Sequence, residues 1–193
     1  MTKEQQDYIE QNIDLIENNE WKKFFKDAPS GTGGVLYTAT IDFINYIEEI
    51  PEKSFYKSKI EDITIPNNVT RIGHSAFYYC SNLTNIDIPD SVTSIGFYAF
   101  GYCSGLTSVT IGNSVPNIDD KAFLSCMELS SVSIGKNVHR IGRNAFYNCV
   151  KLSHINFKGT IEQWKDVFIE KDCWVYVPAR TIKCIDGLTK LRH

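Results

Sequence analysis

The sequence predicts an α+β fold, a solenoid of 23-residue coils with a helical cap at the N-terminal end and a small cap at the C-terminal end. Four consecutive blocks of 23 residues align without a gap from Ile63 to His154. Each block contains a short apolar-polar-apolar segment typical of a strand, and each carries a cysteine at the same place. A fixed period of this length indicates stacked coils, because one coil cannot bury its apolar side alone.

The four blocks share eight apolar positions, which in the second block are Ile86, Ile88, Val92, Ile95, Ala99, Phe100, Cys103 and Leu106. The L-x-x-I-x-I segment that ends at Ile88 has the strand pattern of a leucine-rich repeat, with Asp87 facing outward. In the first block the same pattern places Thr64 outward on a strand. The Ala-Phe-x-x-Cys segment predicts one helical turn, with Phe100 and Cys103 on one face. Four residues end the strands at a common register: Pro66, Pro89, Gly112 and Gly135.

The cysteines that recur every 23 residues are Cys80, Cys103, Cys126 and Cys149. Four roles are open to them: metal ligands, disulfide partners, reactive thiols and core residues. Zinc ligands converge at short spacings, whereas equivalent residues of stacked coils point the same way. We therefore predict buried structural thiols. Cys173 and Cys184 follow the repeats, and we expect them to be reduced as well.

The pattern I-x-I-P-x-x-V-T-x-I-G-x-x-A-F-x-x-C-x-x-L-T resembles the BspA-type leucine-rich repeat, also called the Treponema pallidum type. The resemblance covers residues 63–154 and extends into INFKGTIEQWKDV and the closing KCIDG. The third block departs from the pattern at Pro116, Asp119 and Asp120, which indicates a distorted or specialised coil.

We divide the chain into a helical N-terminal capping domain (1–48), a degenerate half-coil (49–62), four repeats (63–154) and a C-terminal cap (155–193). In the half-coil, Ile50 to Ser58 repeats the spacing of Ile72 to Cys80. The capping box Thr2-x-x-Gln5 and an apolar stripe predict the first helix. The stripe consists of Ile9, Ile13 and Ile16, and a second short helix is predicted around Trp21, Phe24 and Phe25. Residues 35–46 fit either a helix or a strand, and we favour the helix.

After the repeats, the sequence predicts a fifth strand at Ile155–Phe157 and a helix that starts at the capping box Thr160-x-x-Gln163. Two short strands are predicted to follow, at Trp174–Val177 and at Thr181–Ile185. These elements would close the C-terminal end of the solenoid.

Composition limits the function classes. With 20 Lys+Arg against 23 Asp+Glu and a net charge of −3, the chain has no basic stripe to follow a phosphate backbone, which argues against nucleic acid as a partner. No run of 18 apolar residues and no signal peptide are present. We therefore expect a cytoplasmic protein that is a monomer on its own, with no membrane contact.

The residues contain no catalytic or metal constellation, because the four histidines are scattered and no phosphate loop is present. His74 and His139 are expected to be solvated. We predict no enzyme activity and no cofactor. The remaining candidates are surfaces on which a protein partner could dock.

Two surfaces are candidates for partner binding. The first is an aromatic group on the Ala-Phe turns: Tyr78, Tyr79, Phe97, Tyr98 and Tyr102. Aromatic clusters concentrate interface energy, but the same rings could instead cover the edge of the core or pack on the N-terminal helices. The second candidate is the polar strand face: Asn85, Asp87, Thr110, Ser133 and His154.

The resemblance implies a non-catalytic protein-interaction module. In one form it would be an intracellular binder or inhibitor of a host or defence protein, of the kind that phages encode. In the alternative it would be a fragment of an exported adhesin that lacks its signal. An enzyme with a site in the first 60 residues is the third and weakest hypothesis.

Overall fold

The computed structural model describes residues 2–12, 14–15, 28–32 and 47–191. The predicted solenoid is confirmed, with its coils stacked through two sheets. One sheet contains six two-residue parallel strands: β1 (Glu49–Ile50), β2 (Arg71–Ile72), β4 (Ser94–Ile95), β6 (Asn117–Ile118), β8 (Arg140–Ile141) and β10 (Phe168–Ile169). The other contains β3 (Asn85–Ile88), β5 (Ser108–Ile111), β7 (Ser131–Ile134), β9 (His154–Phe157), β11 (Thr181–Cys184) and β12 (Gly187–Lys190).

The register of the long strands follows the 23-residue period. Ile86 pairs with Val109, Val109 with Val132, and Val132 with Ile155, and all four side chains are buried. The outward residues alternate with them as the pattern predicts. The strands end before Pro89, Gly112 and Gly135, as expected, and the predicted fifth strand is β9.

The first block differs from the prediction, because residues 63–65 do not form a strand. Ile63 and Ile65 are nevertheless buried, and the Thr84 amide donates to the Glu61 carbonyl at 3.2 Å. This segment covers the edge of β3 mainly by packing. It does not form the strand ladder that joins the later coils, such as β3 to β5.

A column of aromatic rings fills the core along the solenoid. Phe55, Phe77, Phe100, Phe123, Phe146 and Trp174 stack in that order, with centroid distances of 4.7, 4.9, 5.2, 5.2 and 5.1 Å. Neighbouring planes are tilted by at most 10°. Because the outermost rings come from residues 55 and 174, the segments on either side of the four repeats contribute to the same core.

The prediction that the repeated cysteines are core residues is confirmed. All four side chains are fully buried free thiols, and Cys173 and Cys184 are free as well. Each repeated thiol also donates to a phenylalanine carbonyl of the preceding coil. The Cys103 Sγ lies 3.0 Å from the Phe77 oxygen, and the Cys126 Sγ lies 3.2 Å from the Phe100 oxygen. The thiol therefore links adjacent coils through a weak hydrogen bond as well as by packing.

The predicted helical turn at Ala-Phe-x-x-Cys is wrong. Alternate amides of this segment bond to the next coil, as when Phe77 N donates to Ala99 O at 2.7 Å and Tyr79 N to Gly101 O at 2.9 Å. The amides between them close short turns inside the coil, such as Tyr78 N to Ser75 O at 3.1 Å. An α-helix would direct all of these donors along its own axis. The pairing between coils decides the conformation instead.

Each coil has two residues with left-handed backbone, four positions apart. The first column is Lys53, Ser75, Tyr98, Lys121, Asn144 and Asp172, and the second is Lys57, Tyr79, Tyr102, Ser125, Asn148 and Tyr176. All twelve have φ between 53° and 64°. In each of the four repeats the two left-handed positions lie on either side of the Ala-Phe pair, whose side chains are buried in the core.

The third coil is distorted, as the departure from the repeat pattern indicates. Its short strand pairs with the second coil only through Ile95 and Ile118, whereas each other ladder of this sheet pairs two residues. Arg140 holds the substituted loop, with Nη2 at 3.0 Å from Asp120 Oδ1 and Nη1 at 3.8 Å from Asp119 Oδ1. The acidic pair is therefore engaged in an ion pair.

Both predicted capping boxes are present. The first starts α1 (Lys3–Gln11) at Thr2, and the second starts α2 (Ile161–Asp166) at Thr160. The partly buried Tyr8, Ile9 and Leu15 pack against the core. The expected helical segments around Trp21 to Phe25 and at residues 35–46 lie outside the described residues, as do Ile13 and Ile16 of the stripe.

The strand prediction at Trp174–Val177 is wrong, whereas the prediction at Thr181–Ile185 corresponds to β11. Residues 171–176 form a turn segment like those of the repeats, with Cys173 in the alanine position and Trp174 in the phenylalanine position. Phe146 N donates to Cys173 O at 3.2 Å, and Asn148 N donates to Val175 O at 2.9 Å. The boundaries that we assign to the four segments of the chain remain predictions.

Candidate functional site

The structure brings four predicted tyrosines together around one ring. Tyr78 makes edge contacts with Tyr79, Tyr98 and Tyr102 at centroid distances of 4.8, 5.2 and 5.4 Å. Tyr79 and Tyr102 are stacked on each other at 4.8 Å. Phe97 joins the group through Tyr98 at 4.4 Å. All five predicted aromatic residues therefore form one continuous cluster across two coils.

The cluster continues into residues that the sequence analysis did not select. Tyr56 stacks on Tyr78 at 5.5 Å. Lys57 Nζ lies 5.2 Å from the Tyr56 centroid and 5.9 Å from that of Tyr79, while Lys121 Nζ lies 5.2 Å from Tyr98 and 5.4 Å from Phe97. We call these eight residues the aromatic–lysine surface: Tyr56, Lys57, Tyr78, Tyr79, Phe97, Tyr98, Tyr102 and Lys121.

The repeat register explains how the rings converge. Tyr56 and Tyr78 occupy the position after the core phenylalanine, and the next coil has Gly101 there. A Cβ at Gly101 would lie 2.8 Å from Tyr98 Cδ1 and 3.1 Å from Tyr78 Cδ2. The missing side chain provides the space in which Tyr78 meets the rings of the second coil.

Three tyrosines of this surface have a backbone conformation that tyrosine disfavours. Tyr79, Tyr98 and Tyr102 have φ values of 60°, 56° and 59°. The left-handed region costs an L-residue about 1–2 kcal/mol, and among residues other than glycine asparagine tolerates it well. The fourth coil has Asn144 and Asn148 in these same two columns. The first two coils thus hold aromatic rings where a less strained residue is compatible with the fold.

The rings of this surface are partly exposed to solvent. Tyr79 and Phe97 are 42% and 38% exposed, and the other three predicted residues are half-buried. Partial burial is the main cause that raises the pKa of Tyr78 to about 12. The neighbouring tyrosines Tyr102, Tyr79 and Tyr98 raise it further by their electrostatic effect. Its hydroxyl therefore stays protonated and can donate a hydrogen bond to an acceptor at neutral pH.

The turns that carry this surface match a known repeat family. The BspA type leucine rich repeat region matches in six copies over residues 48–173. The chain belongs to this family. The six copies include the coils on either side of the four predicted repeats.

Solved structures agree with this assignment. A leucine-rich repeat protein of T. pallidum is 25% identical, with a TM-score of 0.52, over 56% of this chain and 51% of its own. The pneumococcal vaccine antigen PcpA is 20% identical, with a TM-score of 0.52, over 59% of this chain and 28% of its own. The matched part of this BspA-type chain thus spans about half of the T. pallidum protein's length. No curated protein shows significant similarity to it.

The strand face is assembled as predicted, but it is flat and polar. Asn85, Ser108, Ser131 and His154 are neighbours in register, as are Asp87, Thr110, Ser133 and Asn156. Two of its polar groups bond to each other, since Ser108 Oγ donates to Asn85 Oδ1 at 2.6 Å. At the end of the same row, His154 Nδ1 lies 2.9 Å from Ser153 Oγ.

The two outward histidines are exposed, as predicted, and His74 has a structural contact. Its Nδ1 accepts a hydrogen bond from Phe97 N at 3.0 Å. A similar contact occurs two coils later, where Arg143 N donates to Asp120 Oδ1 of the preceding coil at 3.0 Å. His74 thus helps to position the loop that presents Phe97 and Tyr98.

Other kinds of site have little support in the described residues. No group of three His, Cys, Asp or Glu residues in this part of the chain could hold a metal ion. The helices described there are too short or too polar to cross a membrane. An open depression beside α1 is lined by Lys3, Glu4, Asp7, Tyr8, Gln11 and Pro29.

Alkaline pH is expected to destabilise the protein. Burial raises the pKa of Cys80 to about 12 and that of Cys103 well above its usual value, and the pKa of Tyr78 is raised to about 12. The fold therefore favours the protonated forms, whose contribution is complete below about pH 9 and is lost as pH rises toward about 12. The urea midpoint, measured with a reductant present, should fall steadily over this range.

Tyr78→Phe is the matched control, because it removes one of the titrating groups and keeps the ring. Its urea midpoint should fall less than that of the wild type between about pH 9 and 12. A wild-type midpoint that stays constant over this range would contradict the burial of these groups.

Proposed function

We propose that this chain is a non-catalytic protein-binding module and that the aromatic–lysine surface is where its partner docks. The observation that carries the proposal is the convergence of six rings and two lysines from four coils on one exposed face. Large flat side chains bury much area with little loss of rotamer freedom, and such residues dominate binding energy in interfaces.

The backbone conformation supports a role beyond packing. Tyr79, Tyr98 and Tyr102 are held at positive φ although asparagine occupies the same columns in the fourth coil. Strained residues that persist in a fold are frequent at functional sites. The strand face lacks both features, since its outward side chains are polar and no residue of β3, β5, β7 or β9 has a positive φ.

We place this binding inside the cell, where the protein would bind or inhibit another protein. The support is that all six cysteines are free thiols, which is typical of proteins in a reducing compartment. In this setting the rigid stack of coils presents the docking surface in one fixed geometry.

The test removes rings without disturbing the coils. Tyr79→Asn combined with Tyr102→Asn places the residue of the Asn148 column at both left-handed positions. We expect partner affinity to fall at least about tenfold, because interface aromatic residues typically contribute about 2 kcal/mol or more on truncation. The melting temperature should stay nearly constant, since relief of strain offsets the lost ring contacts.

The measurement is quantitative affinity capture from the source cell, followed by titration of the purified partner against both proteins. Asp87→Ala combined with Thr110→Ala is the matched control on the strand face and should retain affinity. The opposite ranking of the two double variants would move the site to the strand face. A large loss of melting temperature in the tyrosine variant would show instead that these rings are structural.

A further inference from the structure

The aromatic–lysine surface differs in charge from the turn face around it. Between the short-strand isoleucine and the cysteine position, the six coils carry five basic and five acidic residues, so the turn face as a whole has no net formal charge. The basic residues are Lys53, Lys57, Lys121, Arg143 and Lys171, and the acidic ones are Glu52, Asp119, Asp120, Glu170 and Asp172. The eight residues of the aromatic–lysine surface include two of these bases and none of these acids, which gives it a formal charge of +2.

Four of the five acids are already paired inside the chain. Lys53 Nζ lies 2.8 Å from Glu52 Oε1, and Arg140 lies within 3.8 Å of Asp119, Asp120 and Glu170. Lys57 and Lys121 lie over rings, and within the described ranges neither is within ion-pair distance of a carboxylate. The surface therefore offers two ammonium groups, which only donate, and tyrosine hydroxyls, which can donate.

We propose that the aromatic–lysine surface recognises an extended acidic segment of another protein, and this inference rests on the function proposed above. Carboxylates of the segment pair with Lys57 and Lys121, while apolar or aromatic side chains between them lie on the tyrosine rings. Charge complementarity of this kind selects the partner and orients it, and the aromatic contacts contribute most of the affinity.

The coil spacing sets the spacing of the two acids. Lys57 and Lys121 belong to coils three steps apart, and the stacked phenylalanine centroids of those coils are separated by 4.7, 4.9 and 5.2 Å. The coils of the two lysines are therefore about 15 Å apart along the stack, which an extended chain rising about 3.3 Å per residue spans in about four to five residues. Lys57 Nζ reaches Tyr79 of the next coil and Lys121 Nζ reaches Tyr98 of the preceding coil, so the two ammonium groups are no farther apart than this along the stack. The recognised segment has two Asp or Glu residues within that interval.

The experiment selects peptides from a random library of about twelve residues against the immobilised full chain, at about 0.05 M salt. We expect the recovered peptides to contain two acidic residues no more than about five positions apart, flanking apolar or aromatic residues. Lys57→Gln with Lys121→Gln should weaken the selected peptides about tenfold, and raising the salt to about 0.5 M should weaken them similarly. Lys136→Gln with Lys183→Gln, away from this face, is the matched control and should retain affinity.

The outcomes separate this inference from the proposed function. Peptides that lose binding with Tyr79→Asn and Tyr102→Asn, but carry no acidic excess and ignore the lysine variants, overturn the acidic partner and leave the docking surface intact. Peptides that bind equally well to the tyrosine variant overturn both proposals. A selection that enriches no sequence overturns recognition of an extended segment.

Discussion

Phe123→Ala is expected to lower the free energy of unfolding by about 3–5 kcal/mol. The ring is fully buried in the middle of the aromatic column, 5.2 Å from both Phe100 and Phe146 and nearly parallel to each. The neighbouring rings belong to separate coils whose spacing is fixed by both sheets, so the cavity cannot collapse. Since whole domains are stable by about 5–15 kcal/mol, this single change should bring the protein close to unfolding.

Two substitutions serve as controls in the same urea titration. Phe97→Ala removes the same side chain from a position that is 38% exposed, and it should cost much less than the buried substitution. Phe123→Leu keeps most of the apolar volume, so its loss of unfolding free energy should lie between those of Phe97→Ala and Phe123→Ala. Equal losses for Phe97→Ala and Phe123→Ala would mean that the column does not hold adjacent coils together.

The 23-residue period made the core predictable. It placed every repeated cysteine and phenylalanine in an inward column, and the structure has them there. It also placed Tyr78, Tyr98 and Tyr102 on outward positions of adjacent coils, which is why the aromatic cluster could be named from sequence. Stacking converts a sequence interval into spatial contact, and this needs no knowledge of side-chain conformation.

The turn conformation could not be read in the same way. Phenylalanine and cysteine three positions apart share a face both in a helix and in the observed turn, so apolar spacing does not distinguish the two. Hydrogen bonds to the next coil, such as Phe77 N to Ala99 O, decide between them, and a single repeat does not reveal these bonds. The left-handed positions follow from that pairing.

The last turn segment and the two lysines of the aromatic–lysine surface were not predicted from the sequence. Trp174 follows Phe146 by 28 residues rather than 23, and Cys173 takes the alanine position, so a search at one fixed period misses the last turn segment. Lys57 could have been selected from the sequence, because the match between Ile50–Ser58 and Ile72–Cys80 aligns it with Tyr79. Lys121 lies over Phe97 and Tyr98 of the preceding coil, a contact that only the geometry shows.

Removal of residues 1–62 is expected to prevent the chain from remaining a stable monomer. The deleted part contains Phe55, whose ring covers Phe77 at 4.7 Å, and β1, which pairs with β2 in register. It also contains the Phe55 carbonyl that accepts from the Cys80 thiol at 2.9 Å. The fragment 63–193 would expose a fully buried ring and an unpaired strand edge, and both promote aggregation.

A second truncation separates the half-coil from the segment before it. The fragment 48–193 keeps β1 and Phe55 and removes partly buried residues that pack against the core, including Tyr8, Ile9 and Leu15. Light scattering and thermal melting should rank the full chain first, 48–193 second and 63–193 last. If 63–193 is monomeric and melts like the full chain, the first 62 residues form an independent domain. The ranking arises because each coil buries its apolar side only against its neighbours, so the cost of removing a cap depends on which ring it uncovers.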